Sequence, residues 1–420
     1  MSDITIPHKK TTLWSLAFIT IFMVNFFQQM GQQMTNVLVP KYANYLGASA
    51  YIVGVVSSIF AVSSLLSRPI TTPTFDSFSK KKLLMIFIFG IVAVFIGYSL
   101  STNTTVLILI RLFHGICIGC VAPLSLAIAS NVLPESQIGK GIGIFSLGQA
   151  VGQAVGPNLG IELSRLIGYK YTFIIGAAIM CISLILTFFL KDMDKNKEPY
   201  TIKWEKIIEK NAIHSAVLLF FLMLSYSCVG GFLVIYGDLL IIENVGLYFT
   251  VYAICLFATR PISGAMLDKY GYGKVLVPGI LCFALSFLVL SLSRNLAGFL
   301  ISAVLNACGY GACYPTVQSL SMSSVPRNRR GAAGSTSFIG ADFGVLIGAS
   351  IAGFFIDKIS LASGSEIRGY SLMYLIMTIP ILLCLIYFLL MRKKISAILK
   401  QNKKTIAEKE IAECGIILGH

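Results

Sequence analysis

The sequence predicts an all-α membrane protein in which twelve transmembrane helices form two pseudo-symmetric six-helix halves. Three observations carry that expectation. Apolar runs of about 18–25 residues recur along the whole 420-residue chain, each long enough to cross a hydrocarbon core of about 30 Å. Residues in the first half return in the second at a constant offset of 192. Lysines and arginines collect on one side of the predicted spans. Composition agrees: 56% hydrophobic residues, 12% charged and a mean hydropathy of +0.81 exclude an ordinary soluble domain.

The runs cover about 13–39, 50–70, 83–100, 105–130, 141–163, 171–190, 213–236, 246–266, 275–293, 297–321, 332–356 and 370–391. Lipid offers no partner to a peptide group, so each run is expected to be a helix. The first follows Lys9 and Lys10, but it is too long for a signal-peptide core and has no small-residue cleavage site. It carries Gln28, Gln29, Gln32 and Gln33, and is read as a retained helix. The polar segment 191–212 separates an N-terminal half, 1–190, from a C-terminal half, 213–391. Within it, Trp204 to Lys210 has the pattern of a short amphipathic helix on the inner membrane surface. Residues 392–420 form a basic cytoplasmic tail, either solvated or docked on anionic headgroups.

With a cytoplasmic N-terminus, the outer segments hold Lys41, Arg165, Lys170, Arg294, Lys358 and Arg368, and Arg111 is intramembrane. Every other Lys and Arg falls on the inner side. That bias places both termini in the cytoplasm of a cell-membrane protein, and it explains the net charge of +15 without a nucleic-acid partner. Of the ten cysteines, all but Cys414 lie scattered through the apolar runs. Cys117 and Cys120 form a CxxC without His or Asp at ligand spacing, so neither a metal site nor a disulfide framework is expected. No G-x-x-x-x-G-K-[ST] loop is present, so neither direct ATP coupling nor a cofactor is expected.

The repeat is clearest at Arg68-Pro69-Ile70-Thr71, followed by Asp76 and Lys82. It returns as Arg260-Pro261-Ile262-Ser263, followed by Asp268 and Lys274. The register continues through Gly119 and Gly311, Pro123 and Pro315, Pro134 and Pro326, and Gly139 and Gly331. It ends on Gly148, Gly152 and Gly156 against Gly340, Gly344 and Gly348. One unit of about 190 residues used twice in a membrane chain points to a transporter.

The second copy reads R-P-I-S-G-x-x-x-D-K-Y-G-Y-G-K and resembles the loop signature of the major facilitator superfamily, with Gly264, Asp268, Lys269, Gly271 and Lys274 in or near the expected roles. The first copy keeps Asp76 and Lys80-Lys81-Lys82 but has Thr72 and Ser79 where glycines are usual. An Asp at a helix end pairs with basic residues or with the N-terminus of a neighbouring helix, so Arg68, Asp76, Lys82, Arg260, Gly264, Asp268 and Lys274 are candidate gating-loop residues. The bland alternative is topology charges on a tight turn. Arg111-Leu-Phe-His114-Gly115 resembles the superfamily's R-x-x-x-G signature, whose Arg is associated with proton coupling. His114 stands where Gln is common, either titrating near neutral pH or packed near the helix axis. Gly152, Gly156, Pro157 and Gly160, ending in Gly-Pro-x-x-Gly, resemble the antiporter motif, found mainly among exporters, and Gly148 precedes them in the same register. As glycines four residues apart they also form a close-packing stripe.

On the first run, Asn25, Gln28, Gln29, Gln32 and Asn36 share one helical face, with Gln33 at its margin. Amides in lipid need partners, so this face lines a cavity or meets another helix. The stripe is neutral, which suits a polar or variably charged substrate rather than a dedicated cation. Gln149, Gln153, Tyr226, Tyr236, Asn306 and Tyr310 complete a candidate central cavity. Asp342, near the middle of its run, is the best embedded carboxylate; Arg111, Asp342 and His114 are the proton-coupling candidates.

The resemblance implies a monomeric secondary transporter, not an enzyme, that exports a small organic molecule by proton antiport with alternating access. Proton-coupled or facilitated uptake of a sugar or other metabolite is the alternative. A non-transporting sensor or a membrane-embedded enzyme is the remaining option, with only His114 and His214 as intramembrane histidines.

Overall fold

The structure, a computed structural model, describes residues 13–48, 50–192 and 208–418. Among these residues it is built from α-helices, short 3-10 turns and connecting loops. The N-terminal half holds α1 (Leu16–Tyr45), α2 (Ala50–Thr71), the single turn α3 (Thr74–Ser77), α4 (Lys80–Leu100), α5 (Thr104–Val132), α6 (Ile138–Phe145) and α7 (Leu147–Phe188). The C-terminal half holds α8 (Ile213–Leu239), α9 (Leu247–Tyr270), α10 (Tyr272–Leu292), α11 (Leu296–Ser323), α12 (Arg330–Ser363), α13 (Glu366–Ile376) and α14 (Thr378–Leu418).

Each predicted apolar run falls mostly on helix, and nine helical spans among the described residues are long and apolar enough to cross a membrane. α1, whose amides lower its hydropathy, is not among the nine. α7 runs through two predicted segments and is broken only at Gly168, whose φ of 77° is open to glycine and turns the chain back. Gly271 (φ 79°) does the same between α9 and α10.

Local chemistry repeats with the fold. Asn103 accepts from the Val106 amide (2.9 Å) to cap α5, and Asn295, its counterpart in the repeat, accepts from the Gly298 amide (3.0 Å) to cap α11. Packing repeats as well. α1 lies along α7 because Gly152 and Gly156 let it approach: a Cβ at Gly152 would sit 2.9 Å from the Gln29 carbonyl, and one at Gly156 2.8 Å from that of Met30. α8 lies along α12 in the same way, a Cβ on Gly344 falling 2.9 Å from the Met223 Cβ. The buried apolar side chains gather in two large clusters, one mostly from the N-terminal half and one mostly from the C-terminal half.

Most of the polar linker, including Trp204 to Ile207 of the predicted amphipathic helix, lies outside the described residues. Its end is anchored on α12: the Glu209 amide donates to Thr336 Oγ1 (2.9 Å), and Arg329 Nε donates to Glu209 Oε2 (2.9 Å). The basic tail does not leave the bundle at residue 391. It continues α14, burying Ile395, and Asn402 Nδ2 donates to the Ser323 carbonyl (2.9 Å) at the end of α11.

Candidate functional site

The face assigned to the cytoplasm by the charge bias, called inner below, is where the two halves are tied together. Arg68, at the end of α2, donates through Nε (3.0 Å) and Nη2 (2.7 Å) to Asp342 Oδ2 on α12. Its Nη1 donates to the Gly119 carbonyl (3.3 Å), and its guanidinium lies 5.4 Å from the centre of the Phe338 ring. Arg68 is buried, whereas the Asp342 side chain keeps 28% exposure. The Arg260 guanidinium, in the equivalent place on α9, donates instead to the Ser146 carbonyl. Residue 150, the equivalent of Asp342 in the repeat, is an alanine.

Asp268 caps α6 across the halves. Its Oδ1 accepts from the Gly139 amide and its Oδ2 from the Lys140 amide, both at 2.8 Å. These are free first-turn donors at the positive end of the helix dipole. Gly264 is obligatory beside them, because a Cβ there would lie 2.8 Å from the Lys140 Cα. The side chain of Asp76, the counterpart of Asp268, lies outside the described residues. Lys82 and Lys274 are exposed, and the Lys82 backbone amide is capped by Ser79 Oγ (3.2 Å). Glu135 Oε1 accepts from Arg330 Nη2 (2.7 Å) and Arg327 Nε (3.3 Å). Arg330, fully buried, also donates to the Ser130 carbonyl (2.6 Å). Thr72 and Ser335 share a hydrogen bond of 2.5 Å.

A second cluster surrounds Arg111 on α5. Its Nη2 donates to Asn36 Oδ1 (3.3 Å), Nη1 faces His114 Nδ1 (3.4 Å), and the guanidinium stands 4.4 Å from the centre of the Phe60 ring. A guanidinium only donates, so Nδ1 accepts and the ring is neutral with its proton on Nε2. Tyr98 Oη lies 3.1 Å from the same Nδ1. The amide stripe divides. Asn25 Nδ2 donates to the Phe145 carbonyl (3.0 Å) and Gln28 Oε1 accepts from Ser125 Oγ (3.4 Å), so both serve helix contacts. Gln32 Nε2 donates to Asn36 Oδ1 (3.1 Å), and Asn36 Nδ2 donates to Gln33 Oε1 (3.1 Å), a relay ending at Arg111. Gln29 and Gln149 are half-buried, and the Gln153 side chain is outside the described residues.

The C-terminal half presents aromatics instead. Tyr226 and Tyr310 stack with ring centroids 3.8 Å apart, and Tyr252 and Tyr314 flank them. Asn306, the counterpart of His114, donates to Tyr248 Oη (2.8 Å). Tyr236 lies elsewhere, at the outer end, where its hydroxyl accepts from Arg294 (2.6 Å) and donates to the Ser293 carbonyl (3.3 Å). Pro157 and Gly160 continue the α1–α7 seam, a Cβ on Gly160 falling 2.7 Å from Met34 Cγ.

Two helical halves joined by equivalent loops, with polar groups set along their inner-facing helices, form a transporter frame. The family model described as Major Facilitator Superfamily matches residues 21–242 and again 215–413. The chain belongs to the Major Facilitator Superfamily. It is 24% identical over 380 residues to a multi-drug resistance efflux pump PmrA homolog of Lactococcus lactis, spanning 85% of this chain and 93% of that one. It is 23% identical over 392 residues to the staphylopine export protein of Staphylococcus aureus, spanning 88% and 94%. A bacterial homologue of the iron transporter ferroportin, solved in an outward-facing state, shares the fold with a TM-score of 0.75 at 13% identity, covering 91% of this chain and 99% of that one.

Within this major facilitator fold, sequence reasoning named Arg68 and Asp342 separately and did not pair them. It missed Glu135, Arg330, Thr72 and Ser335 as contacts between the halves, and Tyr248 as the partner of Asn306. One signal was present for Glu135: the repeat that matches Pro134 to Pro326 sets it opposite Arg327, its opposite charge.

Proposed function

We propose that the protein exports a small organic molecule across the cell membrane by proton antiport, its two halves rocking about a central site. The observation that carries this reading is the ion pair of Arg68 with Asp342. It holds the inner ends of the halves together through a carboxylate set within the inner half of a membrane helix. Protonating Asp342 removes the negative charge that Arg68 faces, so a proton taken up from outside weakens the inner closure and favours opening inward. Releasing that proton inside restores the pair and favours the return of the loaded carrier. Proton and cargo then travel in opposite directions.

With its inner ties formed, the protein is read as standing on the outward-facing side of this proposed cycle. Asp76, Asp268 and their loops act with Glu135 as the inner gate, Arg111 and His114 complete the coupling set, and the Asn36 relay with the Tyr226–Tyr310 stack lines the cargo site. The Gly156-Pro157-x-x-Gly160 end of the α1–α7 seam, and the export named for two relatives, favour export over uptake. The carrier works as a monomer with both termini in the cytoplasm.

Everted vesicles acidified inside test this directly, with ethidium and 2-naphthoate as probes. Adding a transported probe is expected to dissipate the proton gradient in wild type and not in Asp342→Asn. Accumulation of the probe by intact energised cells would sink the export reading.

A further inference from the structure

We propose that the cargo is an organic anion, and that Arg111 is the residue that binds its carboxylate; the inference rests on the transport reading above and names its substrate class. Asp342 is the carboxylate set deepest in a membrane run, and Arg68 already holds it. Arg111 and Arg260 are 2% and 1% exposed and have no carboxylate partner among the described residues. Arg260 is served by the Ser146 carbonyl, at the inner side.

Arg111 is served poorly. Its two hydrogen bonds, at 3.3 and 3.4 Å, go to neutral acceptors and are long beside the roughly 2.7–2.9 Å of a charge-assisted bond. Its Nε is buried without an acceptor, and so is His114 Nε2, which carries the ring proton. A buried guanidinium without a counter-charge is costly, so this cluster is short of negative charge.

The chemistry of the cover fits an incoming anion. Asn36 is exposed, and its amide oxygen is the acceptor nearest the guanidinium from α1. A carboxylate entering there displaces one weak neutral acceptor and supplies two charged ones in the planar geometry an arginine matches. The freed amide keeps its hydrogen bonds to Gln33 and Gln32. Arginine does not give up its proton, so its part in the coupling set is electrostatic: it holds an anion and leaves proton carriage to other groups. The side chains named for the cargo site add no negative charge: the amide stripe of α1 is neutral, and the stacked Tyr226 and Tyr310 carry rings and hydroxyls, so the net charge here favours an anion.

The test is equilibrium binding to the purified full-length protein in detergent, with no gradient, so that it does not depend on the direction of transport. The probes are 2-naphthoate, citrate, the uncharged isostere 2-naphthamide, ethidium and sodium chloride. Saturable binding of a carboxylate is expected, with the amide and ethidium weaker by about tenfold or more. Arg111→Gln should lose about tenfold or more of that affinity and Arg111→Lys should keep part of it. Asn36→Asp, which places a carboxylate on the guanidinium, should fold and abolish carboxylate binding; it decides the matter if Arg111→Gln does not fold. The proposal is overturned if neither carboxylate binds, if the amide binds as well as naphthoate, if chloride displaces naphthoate at equal concentration, or if Asn36→Asp binds like wild type. Failure of export alone would show instead as gradient-independent flux in vesicles with carboxylate binding intact.

Discussion

Arg68 and Arg260 occupy equivalent places in the repeat, yet among the described residues only Arg68 faces a carboxylate. Arg68 meets Asp342; Arg260 meets the Ser146 carbonyl, because the residue matching Asp342 is Ala150. Of these two equivalent arginines, then, only Arg68 makes a contact that a proton could break. Asp342→Asn keeps the shape of the side chain and removes its charge, leaving Arg68 buried beside the Gly119 carbonyl and an amide. Breaking a buried pair on one side costs about 3–5 kcal/mol, and the retained shape and the exposure of Asp342 reduce this to about 1–3 kcal/mol here. The variant is expected to transport slowly and without the pH response of wild type, measured as probe flux in vesicles across a pH series. A wild-type pH profile in Asp342→Asn would remove Asp342 from the coupling step. Both residues were legible as charged groups in membrane helices, from depth and from the motif. Their partnership was not, because periodicity assigns a face to a helix and says nothing about which helix, 274 residues away, will meet it. The relay from Gln32 through Asn36 to Arg111 was half legible for the same reason: the shared face of the amides was visible, but Asn25 and Gln28 turned out to serve α6 and α5.

Helices in this chain pack through glycine, and the two seams that matter most are equivalent ones. On α7, Gly152 abuts the backbone of Gln29, and on α12, Gly344 abuts α8. Gly152→Ala should cost about 1–3 kcal/mol, because its Cβ meets main-chain atoms that cannot rotate away. Gly230→Ala, where nothing lies within 4 Å, should be neutral to stabilising by up to about 1 kcal/mol, since alanine favours the helix. Thermal unfolding of the purified variants checks the pair, and an unchanged midpoint for Gly152→Ala would show that the seam yields without cost. These seams were legible, since glycines four residues apart in an apolar run announce close approach and the repeat doubles the evidence. The course of α14 was not. Its lysines and arginines past residue 391 looked like the end of a span, but Ile395, Leu399 and Asn402 fall on one helical face and that face docks beneath α11. Asn402→Ala frees the Ser323 carbonyl and should cost about 1 kcal/mol, read in the same unfolding assay. Deleting residues 396–420 should also make the inner ends easier to open, raising the alkylation rate of a cysteine placed at Ser335.

At the scale of the molecule, the pseudo-twofold axis is marked by an ion pair between equivalent positions. Glu135 and Arg327 stand 192 residues apart, the same offset that relates the halves, and Arg327 Nε donates to Glu135 Oε1. An exact repeat would set like charges face to face there. The exchange of sign turns a repulsion into a clasp, and the buried Arg330 reinforces it through the same oxygen. This clasp adds to the Asp342 contact and the Asp268 cap, so the inner closure rests on several charged contacts of which one is the proposed proton switch. Glu135→Arg should convert the clasp to repulsion among three guanidinium groups. At an effective dielectric near 20, two like charges about 4 Å apart repel by roughly 4 kcal/mol before the side chains swing apart into solvent. Even about a third of that shifts the population between inner-closed and inner-open forms by about tenfold. Spin labels at Ser136 and Asn328, on the loops beside the pair, should report a longer mean distance in Glu135→Arg than in wild type. The double variant Glu135→Arg with Arg327→Glu restores one ion pair but leaves Arg330 without its carboxylate, so it should recover the short distance only in part. Full recovery would show that Arg330 adds nothing to the clasp, and an unchanged distance in Glu135→Arg would show that the axis pair does not hold the halves together.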